Sequence, residues 1–498
     1  MSRRRRVLGF VSVMVCWTLA GAQETHEHGA PEKLGQVSFA ISCKPAVQAG
    51  FNRGVALLHS FAYRAAQEAF HGVADRDPQC AMAHWGLAMS YFRQLWEPAI
   101  LPDSDLRALQ EVEQGIKIGR GSEREQKFLE AARLVFQDEA SVPYRMRAAK
   151  YEQAMKALAS ANKNDVEVQV FYALALLANA SPADKTHARQ KEAAAILEPL
   201  DLAYPDHPGI PHYLIHAYDN AELASRGLPA ARAYSKVAPS APHALHMPSH
   251  IFTRLGLWED SIASNIAARE AARQQDDIGE ELHSMDYLVY AYLQSGQESA
   301  ADEIVRQLKA MPKLNTADFK IGYASTAMPI RSIVERKQWA DAASIVPPEA
   351  APPHVIAIAF WARGLGLARG GHASASRKPI EDLQGLEEKL RRVGNDYWAR
   401  QVGVMMREVM AWSAQAEDKK EQAVALMREA ADEEDSIEKL PVTPGPIVPA
   451  REQLGELLLE QGNADLALTE FRAVLVSSPG RRGAIRGAAH AAEVLRRK

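Results

Sequence analysis

The residues able to do chemistry in this chain are crowded into one stretch. Sixteen histidines are spread over 498 residues, and six of them lie between His207 and His250, where an even spread would place about one or two. His212/His216 and His246/His250 are i, i+4 pairs and His243/His246 is an i, i+3 pair. On a helix these spacings put each pair on one face, able to grip one cation together, as the histidine pairs of zinc-protease helices do. No glutamate follows His212 or His246, so the protease motif itself is absent. Asp219, His283 and Asp286 complete a set of eight candidate metal ligands. Imidazole and carboxylate together suit zinc, copper(II), iron or nickel. Such a set either closes around an ion or leaves a position for water, and its neutral imidazoles would release the ion below roughly pH 6. Two other readings stay open: a polar groove for a peptide or small molecule, with Tyr213, Tyr218, Tyr287 and Tyr290 as contacts, and a purely structural polar network. His59, His71 and His84 read as packing or surface residues. No glycine-rich phosphate loop, nucleophile elbow or Cys-x-x-Cys pair is present, and nothing points to a nucleotide or haem.

The elements that must position these residues show themselves by an internal period. Small residues, an aromatic and a proline recur in fixed phase. From Val47, Gly54 stands at position 8, Tyr63 at 17, Ala66 at 20, Phe70 at 24 and Pro78 at 32. Further units start at Ala81, Pro208 and Pro242, and near Leu282, Tyr323, Ala357, Val404 and Val448. The last carries Gly462, Ala467, Phe471 and Pro479 at 15, 20, 24 and 32. This 34-residue pattern resembles the tetratricopeptide repeat (TPR), a helix–turn–helix unit. Small residues let the two helices cross closely, the aromatic fills the gap to the next unit, and units stack because none buries its apolar face alone. The expectation is an all-α, right-handed TPR superhelix over residues 45–485 with a capping helix at 486–498. The stretch from Trp96 to Asn164 is helical but poorly phased, and the spacing from Val166 to Pro208 exceeds one repeat. Proline-rich stretches at 350–353 and 440–446 read as connections or subdomain breaks.

The TPR resemblance implies which face matters. In that family, positions 2, 5, 9 and 12 of the first helix line the concave groove. His212, His216 and Asp219 hold 5, 9 and 12 of one unit; His243, His246 and His250 hold 2, 5 and 9 of the next; His283, Asp286 and Tyr290 hold 2, 5 and 9 of the third. His246, central on its face, is the residue whose loss should matter most.

Composition and the N-terminus bound the rest. A net charge of −4 argues against a nucleic-acid partner. Arg3–Arg6, the short apolar run Val7 to Leu19 and the small residues Ala20-Gly21-Ala22 read as a signal peptide over 1–22. A tail and lead-in follow over 23–44, with His26 and His28 in the tail. The mature chain is then periplasmic or secreted, without a stable membrane span, and Cys43 and Cys80 are its only cysteines, expected to form a disulfide. The strings FNRGVALLHSF, HPGIPHYLIHAYD and HALHMPSHIFTRLGLW are similar to those of a group of exported bacterial TPR proteins. That resemblance implies fold and location and no reaction. Function reads first as a scaffold whose His/Asp-rich groove holds a metal or ligand, with a protein or peptide partner. The alternatives are a metal-dependent enzyme and a peptide-binding scaffold without metal.

Overall fold

Aromatic residues mark where three of the second helices begin. Tyr63, Trp258 and Trp339, all at position 17 of their units, are the first residues of the helices Tyr63–Arg76, Trp258–Gln274 and Trp339–Ala343. A computed structural model describes residues 32–95 and 102–497; the expected signal peptide and the tail histidines His26 and His28 lie outside them. The described residues form 24 α-helices and no strand. Each helix packs on the next, and first helices stack on first helices. The protein is an all-α solenoid of helix pairs, and from Lys33 onward it is one compact body.

The poorly phased region obeys the same rule. Ala81–Met89 pairs with Pro102–Ile118, and Glu123–Phe136 with Tyr144–Ala161. Ser122 and Glu125 cap the helix Glu123–Phe136 reciprocally, which satisfies two of its orphan N–H groups. Glu125 also accepts from the backbone and hydroxyl of Ser42 (2.7 and 2.5 Å), tying the lead-in to the array. The excess length before Pro208 is the loop 179–187, between Val166–Ala178 and Ala188–Ala203. The layer of first helices curls back on itself twice: Gln48–His59 touches Gly209–Tyr218, and Arg482–Arg497 touches Ile278–Ser295. The C-terminal cap therefore starts at Arg482 and seats on a helix far from it in sequence, with Trp258 Nε1 donating to the Gly480 carbonyl (3.2 Å).

The lead-in is part of the core. Phe39 is fully buried among Phe51, Trp85, Phe128 and Phe171. Cys43 is disulfide-bonded to Cys80, with their Cα atoms 5.0 Å apart. The bridge joins the lead-in to the residue preceding the helix Ala81–Met89.

The packing role of the small residues is literal. Phe70 lies between two glycines one unit apart: a Cβ at Gly54 or Gly86 would stand 2.6 or 2.4 Å from its ring. Phe471 lies between Gly455 and Gly487 in the same way (2.8 and 2.3 Å). Gly86→Ala is therefore expected to destabilise by about 1–3 kcal/mol through overpacking. Gly72→Ala, in the same solenoid turn but with nothing within 4 Å of its Cβ, should be neutral or stabilise by up to about 1 kcal/mol, because alanine is the better helix former. Urea midpoints of the two single variants check both signs.

Candidate metal centre

Two prolines shape the helices that carry the histidines. Pro211 falls in the first turn of Gly209–Tyr218, where a missing N–H costs no hydrogen bond. Gly209 is glycine because a Cβ there would stand 2.7 Å from the His59 ring. Pro248 interrupts the next first helix, dividing it into Pro242–His246 and Pro248–Arg254. Met247 between them keeps helical angles (φ −52°, ψ −36°), so His246 and His250 stay on one face. Phe61, in the left-handed region (φ 52°), packs its ring 4.4 Å from that of His212 and 5.3 Å from that of His243. Such a conformation in a residue with a bulky side chain is costly and concentrates near functional sites.

The six expected imidazoles converge as two triads. His212, His216 and His243 place ligand nitrogens within 4.8 Å of one another, and so do His246, His250 and His283. The triads adjoin: His216 and His250 have ring centroids 6.1 Å apart, as do His243 and His246. Five of the six side chains are buried, and His216 is partly exposed.

Hydrogen bonds decide where the protons are. Asn265 Nδ2 donates to the Ser261 carbonyl (2.7 Å), so its Oδ1 is the acceptor that faces His246 Nδ1 (2.6 Å). His246 Nδ1 therefore carries the hydrogen. His250 Nδ1 donates to Asp219 Oδ2 (2.9 Å). A neutral imidazole has one N–H, so both Nε2 atoms carry lone pairs; they face each other at 3.1 Å, and the Tyr287 hydroxyl, whose hydrogen goes to the nearer Thr443 carbonyl (3.1 Å), stands 3.4 Å from that of His250. Burial pushes both pKa values down, His246 well below the usual range and His250 to about 4 despite Asp219, so both rings are neutral near pH 7. Two lone pairs at that distance repel unless a cation lies between them. Two nitrogens on one zinc-sized ion stand about 2.9–3.4 Å apart for angles between 90° and tetrahedral. His283 closes the group, its ring 4.2 Å from that of His246.

The other triad is less constrained. His212 Nδ1 donates to the His59 carbonyl (2.5 Å), leaving a bare Nε2 at 3.1 Å from His216 Nε2. A hydrogen on His216 Nε2 satisfies that contact without a metal. His243 Nδ1 pairs with Glu280 Oε2 (3.2 Å).

The carboxylates expected as ligands serve other groups. Asp219 accepts from His250, Arg254 (2.8 Å) and Lys439 (2.8 Å). Burial alone would raise its pKa, but the Lys439 and Arg254 cations and the His250 hydrogen bond hold it well below the usual carboxylate range. It orients an imidazole and belongs to neither triad. Asp286 faces Arg331 (3.4 Å) and lies outside both triads for that reason. The four tyrosines expected to line an open groove are buried. Tyr213 donates to His59 Nδ1 (2.9 Å), Tyr218 to Glu198 (2.5 Å) and Tyr287 to the Thr443 carbonyl (3.1 Å); Tyr290 stacks under Arg331. The groove is filled by the protein's own chain. The proline-rich stretch 440–446 crosses it, held by Tyr323 to Thr443 Oγ1 (3.0 Å) and Arg331 to the Pro446 carbonyl (3.2 Å).

A third group went unnoticed in the sequence. His59, read as packing, and His207 share Glu167: His59 Nε2 and His207 Nε2 each lie 3.0 Å from one of its oxygens. Tyr213 donates to the other His59 nitrogen, and the Gly209 N–H to the other His207 nitrogen (3.1 Å). Every ring nitrogen is matched, so this group is complete as a hydrogen-bond network. Asn265 and Glu280 were also missed. A signal for Asn265 existed, because it stands at position 24 of the unit from Pro242, where the repeat expects an aromatic. His84 pairs with Glu111 (2.7 Å) and His71 is exposed.

No protein-family model matches this sequence, and no curated protein matches it. Solved structures give distant matches. The TPR domain of P58(IPK) aligns with 91% of this chain and 99% of its own at 13% identity and a TM-score of 0.23. Yeast Tom70 aligns with 90% and 88% at 10% and 0.34. A human IFIT1 dimer with m7Gppp-AAAA aligns with 83% and 90% at 11% and 0.37. The chain is distantly similar to TPR-repeat structures. At these TM-scores the superpositions carry no argument about the site, and the succession of helix pairs carries the fold.

The buried imidazoles give the metal-free protein a signed pH dependence. Burial lowers the pKa values of His212, His216, His246, His250 and His283. As pH falls below about 6.5 the unfolded chain takes up protons that the folded one refuses. Stability present above 6.5 is thus lost on acidification, for His250 over the window from 6.5 to about 4. The buried Glu408 and Glu434, whose pKa values burial raises, act with opposite sign, so a variant isolates the imidazole. The urea midpoint of the metal-free wild type should fall more steeply from pH 6.5 to 4 than that of His250→Gln. Equal slopes would mean that His250 titrates as it does in water.

Proposed function

We propose that the protein is an exported metal-binding protein that holds a divalent transition ion at His246, His250 and His283. The carrying observation is the pair of Nε2 lone pairs of His246 and His250 facing each other at 3.1 Å, each fixed by an acceptor on the opposite nitrogen. Neutral imidazoles suit zinc, copper(II), nickel or iron. The adjacent triad His212, His216 and His243 can take a second ion, held less tightly because a proton on His216 competes for the same space. Because burial lowers these pKa values, release by acid falls below the usual imidazole range. Export is supported by Arg3–Arg6 with the short apolar run after them, and by the Cys43–Cys80 disulfide, which suits an oxidising compartment. A peptide in the concave groove has less support, since Thr443 and Pro446 already engage the tyrosine and arginine donors there.

The test is metal content with thermal stability, on full-length protein purified without a histidine tag. Wild type should retain about one ion per chain through dialysis, and chelation should lower its melting temperature, since a ligand held only by the folded state stabilises it. His246→Ala should lose the ion. Asn265→Ala removes no ligand and should weaken retention about 10–100-fold, as loss of an orienting partner does. A wild type that never holds metal, or a His246→Ala protein with full content, rejects the metal reading.

A further inference from the structure

Among the described residues, one end of the histidine cluster meets a cavity. His216, the only partly exposed imidazole of the six, lines a cavity of about 120 Å³ together with Gln94, Gln190, Asp219, Lys439 and Pro441. That volume holds about four waters at liquid density, or one molecule of four or five heavy atoms. Much of the charge in its wall is already committed. Asp219 serves His250, Arg254 and Lys439, and Glu438 pairs with Arg254 and Lys185. The cavity is therefore not built to bind an ion by charge.

What it does present is a pair of unmet acceptors. Gln94 is 5% exposed, and neither its Oε1 nor that of Gln190 has a hydrogen-bond partner. Leaving a buried amide oxygen unpaired costs about 1–3 kcal/mol, and such atoms in a cavity ask for a donor. On the third side stands His216, whose triad would keep an open coordination position on any ion bound through three nitrogens. The complement of two carbonyl acceptors and one open metal position is a molecule with two N–H donors and one oxygen lone pair.

We propose that this cavity is a small-molecule subsite for a primary carboxamide or a urea. Its N–H groups donate to Gln94 and Gln190, and its carbonyl oxygen faces the ion held by His212, His216 and His243. The metal contact rests on the metal reading above; the two amide contacts do not. The outcome turns the histidine centre from a closed store into one that meets a substrate-sized partner.

Cobalt(II) loaded into the full-length protein to two ions per chain, so that the weaker triad at His216 is filled as well, reports both parts, because its visible bands change when a ligand joins the ion. Acetamide and urea are the probes. The expected result is a saturable change in the cobalt bands with either probe, weakened about tenfold by Gln94→Leu and by Gln190→Leu, one lost hydrogen bond each, with cobalt content and melting temperature unchanged. Binding that needs Gln94 but leaves the cobalt bands unmoved overturns the metal contact. No binding by a protein that does hold cobalt overturns the subsite, and the cavity then holds water only. If the protein takes up no cobalt, the metal reading falls alone. Saturation transfer from the metal-free protein to acetamide then decides the subsite: present in wild type and absent in Gln94→Leu supports it, and equal in both overturns it.

Discussion

A neutral imidazole offers one N–H and one lone pair, and a buried one must place both. That constraint organises the middle of this protein. At His212, His246 and His250 an oxygen takes the Nδ1 hydrogen: the His59 carbonyl, Asn265 Oδ1 and Asp219 Oδ2. Each acceptor comes from a neighbouring helix or helix end, so the tautomers are written into the packing of the units. Once Nδ1 is spent, Nε2 is left as a lone pair directed at its neighbour. Where every nitrogen instead finds a protein partner, as around Glu167, the same residue types make a closed structural network.

The charged groups around the cluster form a second constraint. Asp219 ends one helix and binds an imidazole, Arg254 and Lys439 at once. Burial lowers Lys439 to about 8 against the pull of Asp219, so the pair is held under tension between desolvation and attraction. Removing Asp219 takes from the buried Lys439 the carboxylate it donates to, which is far costlier than losing an exposed ion pair. This contact also pins the segment around residue 440 across the groove. The acid–imidazole geometry and the closure of the groove therefore depend on one carboxylate.

Much of the scaffold was legible in the chain. Gly54, Phe70 and Phe471 stand where a 34-residue repeat needs them, and their rings and glycines meet as that repeat requires. The histidine phase marked imidazoles of one helix face but left their convergence open and put His283 at the periphery, whereas the rings form two triads with His283 inside one. The exceptions have physical causes. Asp219 and Asp286 share the groove phase, but Arg254, Lys439 and Arg331 arrive from other units and claim them. Nothing in local spacing announces a partner some two hundred residues away. The proline-rich run before the last unit looked like a connector because proline lacks an N–H, yet its carbonyls are acceptors, and Tyr287, Tyr323 and Arg331 use that segment. His59 was discounted on phase alone, although a residue at the end of a first helix, outside the regular face, can still turn into the core.

The segment covering the histidines comes late in the chain. All six imidazoles are synthesised before residue 284, whereas Glu438 through Pro446 follow only after three further helix pairs. Until that segment is made, the cluster lacks its cover. Whatever occupies it is most easily acquired in that interval, in the compartment where the last third of the chain folds. Afterwards exchange has to pass through the narrow opening at His216 or wait for the covering segment to lift. The content of the site would then record where the protein folded as much as what it prefers to bind.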